Sequence, residues 1–307
     1  MNLPVIALFG PTAVGKTGVA IELAQLIAGS GGEAVAVNCD SIQVYRGLEV
    51  LSGAADARQQ KLLEHRLISF VPVDREFSAG RYSELAHREI DDLLDSGRCP
   101  VVVGGTGLYL RGALTDMEFR PPVPAPVRAE VEAELERLGP VVVHSGLPDA
   151  VRERINANDR SRVARAAELL RSGQDPAPDH RGGGELWTAA LRRPTLLIGL
   201  VEDQEVLDER IGQRVASMAE AGAGDEARHA LEHGASRTAR AAIGFDEFLA
   251  GDLEAAAAKH RRFSKRQLTW LRRMDGVEVV ERAGRDDREL AAVVFEAAKK
   301  QPGGAQT

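Results

Sequence analysis

Apolar residues fall along this chain in two kinds of run. Short uninterrupted runs alternate with longer stretches where they recur at helical spacing. Val5-Ile6-Ala7-Leu8-Phe9 is apolar throughout, the pattern of a strand covered on both faces. Val19, Leu23, Leu26 and Ile27 follow at i, i+4, i+7 and i+8, which predicts an amphipathic helix that Gly29 to Gly32 ends. Further buried strands are predicted at 34–38, 66–71, 101–103, 195–200 and 277–280. Between them lie helical patterns. One begins after Phe77-Ser78-Ala79-Gly80-Arg81-Tyr82 and turns Leu85, Ile90, Leu93 and Leu94 to one side. Another opens at Asp203 and aligns Leu207, Ile211, Val215 and Met218; a last one covers 287–300. Strands alternating with helices predict an α/β fold with a parallel sheet.

The middle of the chain breaks this rhythm. After Leu114, Pro121, Pro122, Pro124 and Pro126 form a stiff lead-in to a helix with Val127, Val131, Leu135 and Leu138 in register. A second helix is expected from Asp159 as cap. Residues 116–190 are therefore expected to be a small all-helical domain inserted in a core of 1–115 and 191–300. Residues 174–184, rich in Pro, Asp and Gly, read as a mobile loop, and 301–307 as a disordered tail.

The net charge of −7 does not advertise a nucleic-acid partner, but its distribution does. Residues 259–273 hold two Lys, five Arg and no acid, a local footprint for a polyanion or else a solvated helix face. Cys39 and Cys99 are the only cysteines, which suggests neither a disulfide framework nor a zinc site and fits a reducing cytoplasm. The first strand follows Met1 almost at once, so no signal peptide is expected. No apolar run approaches the roughly 20 residues that span a bilayer.

The strongest chemical signal is Gly10-Pro11-Thr12-Ala13-Val14-Gly15-Lys16-Thr17 between the first strand and first helix. This is G-x-x-x-x-G-K-T in the context that a phosphate-binding loop requires. Its amides and the helix N-terminus suit a polyphosphate, Lys16 suits a terminal phosphate, and the Thr17 hydroxyl suits Mg²⁺. The fold expected is thus P-loop NTPase-like. Val101-Val102-Val103 runs into Gly104-Gly105-Thr106-Gly107, a second glycine loop that should open onto the same sheet edge. Asp40 falls at the end of the second strand, where it could bind metal through water, accept a proton, or cap a turn. His65 is read as structural with a site role left open. Arg162 and Arg165 share a helix face, as do Arg210 and Arg214.

Taken in order, GPTAVGKT at 10–17, DSIQVYRG at 40–47, FSAGRY at 77–82 and VVVGGTGLYLR at 101–111 resemble the tRNA dimethylallyltransferases, also called isopentenyl-tRNA transferases. So do NDRSRVARAAEL at 158–169, RIGQRVASM at 210–218, AIGFDE at 242–247 and KRQLTW at 265–270. The resemblance implies transfer of a dimethylallyl group from dimethylallyl diphosphate, with Mg²⁺, to N6 of the adenosine 3′ of a tRNA anticodon. Gly10 to Thr17 would hold the diphosphate, with Arg214 as a further contact. Asp40 would be the general base, with Thr106 beside the reacting centre and Lys16 on the leaving group. Asp40, Ser41, Ile42, Gln43, Thr106, Arg162, Val163, Ala164, Arg165, Ala166, Gly244 and Phe245 would touch the anticodon stem-loop. Lys265 and Arg266 would do so from the basic segment. The enzyme is expected as a cytoplasmic monomer with no membrane partner.

The chain departs from that family at His65-Arg66, where relatives carry two His, and at 48–55, where they read like D-I-G-T-A-K-P. The family's T-R-x-Y-A-K-R-Q is here Arg261-Arg262-Phe263-Ser264-Lys265-Arg266-Gln267, and the insertion is trimmed between Gly139 and Ile155. Three rival readings stand beside it: a small-molecule kinase on the same scaffold, an adenylate isopentenyltransferase acting on a free nucleotide, and an RNA-binding module with a dead site.

Overall fold

A computed structural model of the chain describes residues 3–176 and 190–301. Most of the loop expected at 174–184 and nearly all of the tail expected at 301–307 lie outside the described residues. Two compact units emerge, one from Met1–Met117 with Trp187–Thr307 and the other from Glu118–Leu186.

The first unit is built on one six-stranded sheet. Its strands are β1 Val5–Phe9, β2 Ala34–Asn38, β3 His65–Arg66, β4 Cys99–Gly104, β5 Thr195–Val201 and β6 Glu278–Glu281. Their order is β3-β2-β4-β1-β5-β6, and every pairing is parallel. The longer helices of this unit are α1 Lys16–Gly29, α2 Ala79–Asp95 and α3 Gly107–Leu114. Beyond the second unit's α4 Ala125–Leu138 and α5 Arg160–Arg171 come α6 Gln204–Glu220, α7 Ala223–Glu232, α8 Leu253–Leu271 and α9 Asp287–Lys300.

β1 lies inside the sheet, and its side chains alternate between two cores. Val5, Ala7 and Phe9 join one with Val35, Val37 and Val102. Ile6 and Leu8 join the other with Val19, Leu23 and Ala36. Burial at every position explains the unbroken apolar run, each larger side chain contributing about 1.5–3 kcal/mol. Because all strands run one way, their carboxyl ends share an edge. The loops after β1, β2 and β4 collect there, the usual ligand crevice of an open α/β sheet.

The strand expected at 66–71 is cut to His65–Arg66. Leu67 and Ser69 take φ of 58° and 49°, left-handed values that a strand cannot hold. The apolar run packs as a loop instead, with Val71 bridged to Tyr45. His65 is structural here: its Nδ1 lies 2.7 Å from the Leu63 carbonyl oxygen, and burial lowers its pKa.

The second unit has its own small core. Val131 and Leu135 of α4 meet Val163, Ala164, Ala166 and Ala167 of α5, with Val143, Leu147, Val151 and Ile155 closing the ends. Asp159 caps α5 by accepting the Arg162 N–H at 3.1 Å.

Candidate active site

The loop after β1 turns through Ala13 and Gly15, at φ 65° and 96°, before α1 begins. Gly15 is the N-cap of α1 and offers no side chain, so the first amides of that helix have no capping oxygen. By contrast, α2, α6, α8 and α9 are capped by Ser78, Asp203, Asp252 and Asp286. Lys16 folds back over its own loop and donates to the Gly10 and Pro11 carbonyls at 3.0 and 2.9 Å. Surrounding protein strips water from its ammonium and pushes its pKa down to about 8; Arg214 adds to that, and Asp40 and Cys39 oppose it.

Two tethers hold the loop from outside. The Gln267 amide on α8 accepts the Thr12 N–H at 2.8 Å and donates to the Gly105 carbonyl at 2.8 Å. One buried side chain thereby ties the phosphate loop to the second glycine loop. From the C-terminal side, Arg282 donates to the Val14 carbonyl at 2.8 Å.

Across the edge, β2 ends in Asn38, a buried residue whose side chain shapes the next turn. Its Oδ1 accepts the Asp40 N–H at 3.0 Å, and its Nδ2 donates to the Asp40 and Leu67 carbonyls at 3.1 and 3.0 Å. Tyr82, fully buried, donates its hydroxyl to the Asn38 carbonyl at 2.8 Å. Asp40 Oδ1 accepts the Ile42 N–H at 2.9 Å. Thr106 Oγ1 accepts the Ser41 N–H at 3.2 Å, and the Thr106 N–H reaches the Cys39 carbonyl at 3.3 Å. Asp40 is thus held by Asn38 and Ile42, its chain neighbour Ser41 is held by Thr106, and Asp40 lies near enough to Lys16 and Arg214 to act on both charges.

Arg214, on α6, donates weakly to the Gly53 carbonyl at 3.4 Å, and its Nε is buried without a hydrogen-bond partner among the described residues. Gly53 lies inside the divergent 48–55 stretch at φ 60°, where a Cβ would stand 1.8 Å from Arg214 Nη2. Gln43 donates to the same carbonyl at 3.3 Å. Glu226 of α7 holds that stretch by accepting the Val50 and Leu51 amides at 2.9 and 2.8 Å.

α8 is basic outside and polar within. Arg262, Lys265, Arg266, Arg272 and Arg273 on and just after it are exposed, while His260, Ser264 and Gln267 are buried. Burial and Arg214 lower the His260 pKa from 6.5 to about 4. Stability from keeping it neutral is complete above pH 6.5 and is lost as pH falls towards about 4. We expect His260→Gln to remove roughly 2–3 kcal/mol of acid destabilisation over that range, read from urea melts at each pH. Equal pH slopes in both proteins would exclude the effect.

Several residues expected to touch RNA are turned inward. Val163, Ala164 and Ala166 lie in the core of the second unit, 0–2% exposed. Of that group only Arg162 and Arg165 present polar ends, and they pair with Asp159 and Glu168 respectively. Phe245 is 1% exposed in the main core and Gly244 is buried beside Phe248, so neither offers a surface contact. Thr12's amide, expected for diphosphate, is engaged by Gln267. Sequence reading passed over Gln267, Arg282 and Asn38. Gln267 had a signal, being the inward polar position of KRQLTW. Arg282 had none.

Among the described residues no cluster of three His, Cys, Asp or Glu could hold a metal, and no helix is long and apolar enough to cross a membrane.

Residues 43–274 match the family model described as IPP transferase. The chain is 38% identical over 289 residues to the tRNA dimethylallyltransferase of Thermobifida fusca (strain YX), covering 88% of this chain and 87% of that relative. It is 40% identical over 285 residues to the tRNA dimethylallyltransferase of Rhodospirillum centenum, covering 88% of each. Among solved structures it resembles the full-length tRNA isopentenylpyrophosphate transferase of Bacillus halodurans, with 28% identity, a TM-score of 0.67 and 96% of both chains covered.

Proposed function

This chain belongs to the IPP transferase family, and from that premise we propose that it moves the dimethylallyl group of dimethylallyl diphosphate onto N6 of the adenosine 3′ of a tRNA anticodon. One observation carries the reading: a carboxylate, Asp40, oriented by the Ile42 amide beside the Ser41–Thr106 pair, stands within electrostatic reach of the phosphate-loop lysine.

The chemistry needs two poles. At the first, the bond between the allylic carbon and its diphosphate oxygen breaks, and negative charge builds on the leaving group. Uncapped amides at the start of α1, Lys16 and Arg214 stabilise that charge where it develops. The Thr17 hydroxyl with diphosphate oxygens is a donor set suited to Mg²⁺, which when bound adds further positive charge to the leaving group. At the second, N6 of adenine bonds to the allylic carbon and gives up a proton. Asp40 accepts it, its carboxylate being oriented by the Ile42 amide. Thr106, on Ser41, keeps the base in register with the second glycine loop.

The acceptor must leave its stack to reach this edge, which an anticodon loop permits more readily than a duplex. The exposed cations on and after α8 supply a surface for the RNA backbone, and Arg162 and Arg165 supply a smaller one on the second unit. The catalytic core spans 1–115 and 191–300, and the enzyme acts as a monomer.

The test is transfer of label. With Mg²⁺, labelled dimethylallyl diphosphate should label unmodified tRNA carrying adenosine after the anticodon. Labelling of free AMP but not tRNA would replace the acceptor, and phosphate transfer from ATP without prenylation would replace the reaction class.

A further inference from the structure

Arg282 lies beyond the residues that match the family model and far along the chain from any motif. It follows β6 directly, and its own amide donates to the Val201 carbonyl at 2.7 Å, which fixes its backbone to the sheet. The residue is 9% exposed, and its side chain reaches the phosphate loop. Nη1 donates to the Val14 carbonyl at 2.8 Å, and Nη2 to Asp287 Oδ1 at 2.5 Å. The fit is close: a Cβ on Gly15 would lie 2.3 Å from Nη1, and one on Gly18 would lie 1.9 Å from Asp287 Oδ2. Glycines at both positions leave room for this pair, and Gly15 also holds φ 96°.

We propose that Arg282 is a positioning residue for the diphosphate, acting through the Val14–Gly15 peptide. This rests on the reading of residues 10–17 as the diphosphate site. The peptide is trans, as are all those described, so its carbonyl and its N–H point to opposite sides. A guanidinium that captures the Val14 carbonyl sends the Gly15 N–H to the other face of the loop, the face that receives the diphosphate. The charged donor also polarises the peptide and strengthens that N–H as a donor. Asp287 balances the charge, so the effect is chiefly one of orientation. Without Arg282 the peptide is free to rotate, and a flip would present a carbonyl oxygen to the leaving group where a donor is needed.

The test measures binding of inorganic diphosphate with Mg²⁺ by calorimetry, beside binding of an anticodon stem-loop and the melting temperature. Arg282→Met should weaken diphosphate binding roughly 10- to 100-fold and lower kcat/KM for the donor in parallel. Stem-loop affinity should stay within about twofold, since the RNA surface is elsewhere. Arg282→Lys, which keeps one donor, should fall between the two, and it carries the test if the Met variant does not fold. Unchanged diphosphate affinity in the Lys variant and, where folded, the Met variant would overturn the proposal. So would equal losses of diphosphate and RNA binding with a lowered melting temperature, the mark of a merely structural role. If the unaltered enzyme binds no diphosphate, the reading of the loop itself falls, and this assignment falls with it.

Discussion

Asp40→Asn should lower kcat by about 10²- to 10⁴-fold while leaving the affinity for tRNA within about twofold. The amide is the same size, and its oxygen can still accept the Ile42 N–H that Asp40 accepts at 2.9 Å. The turn built by Asn38 and Thr106 should therefore survive. What the variant loses, on the proposed mechanism, is proton acceptance. An aromatic amine is a weak nucleophile, and its bond to carbon becomes irreversible only when the proton leaves. Single-turnover rates and filter-binding affinities on the same preparation separate these quantities. A collapse of tRNA affinity with an unchanged turnover at saturation would make Asp40 a docking residue and move the base elsewhere.

Lys16→Met should lower kcat/KM for the donor by about 10²- to 10³-fold, some 3–4 kcal/mol of transition-state stabilisation. Nζ rests on the Gly10 and Pro11 carbonyls, so it already lies at the loop proposed to take the diphosphate. Its pKa of about 8 adds a signature. Above that pH the free enzyme carries a neutral amine, which cannot pair with a diphosphate. kcat/KM for the donor should then decline with an apparent pKa near 8. Lys16→Arg, whose charge does not titrate, should lose that limb while retaining part of the activity. Persistence of the limb in the Arg variant would assign the titration to another group.

How much of this was legible in the residues depends on how local each feature is. The phosphate loop was legible because its signals are contiguous: an apolar strand, spaced glycines, then a helical period. The caps Asp159 and Asp203 were legible for the same reason. The strand expected at 66–71 failed because apolarity reports burial and says nothing of φ, and Leu67 and Ser69 left the extended region. The residues expected at the RNA show a different limit. Reading 162–166 as one recognition block ignored the helical period, which turns Val163, Ala164 and Ala166 inward while Arg162 and Arg165 face out. Gln267 could be read as an inward polar position, but its partner could not, and Arg282 gave no sign at all. Their contacts with Thr12 and Val14 span 255 and 268 positions, and no local pattern encodes a partner so distant.

Those two spans bear on how the enzyme is made. Synthesis proceeds from the N-terminus at about 5–20 residues per second, and domains generally fold as units. β1 cannot be flanked until β5 has left the ribosome, and the loop behind it cannot take its final shape until Gln267 and then Arg282 emerge. The motif translated first is thus completed last, so on the function proposed above a nascent chain would hold diphosphate tightly only once it is nearly whole.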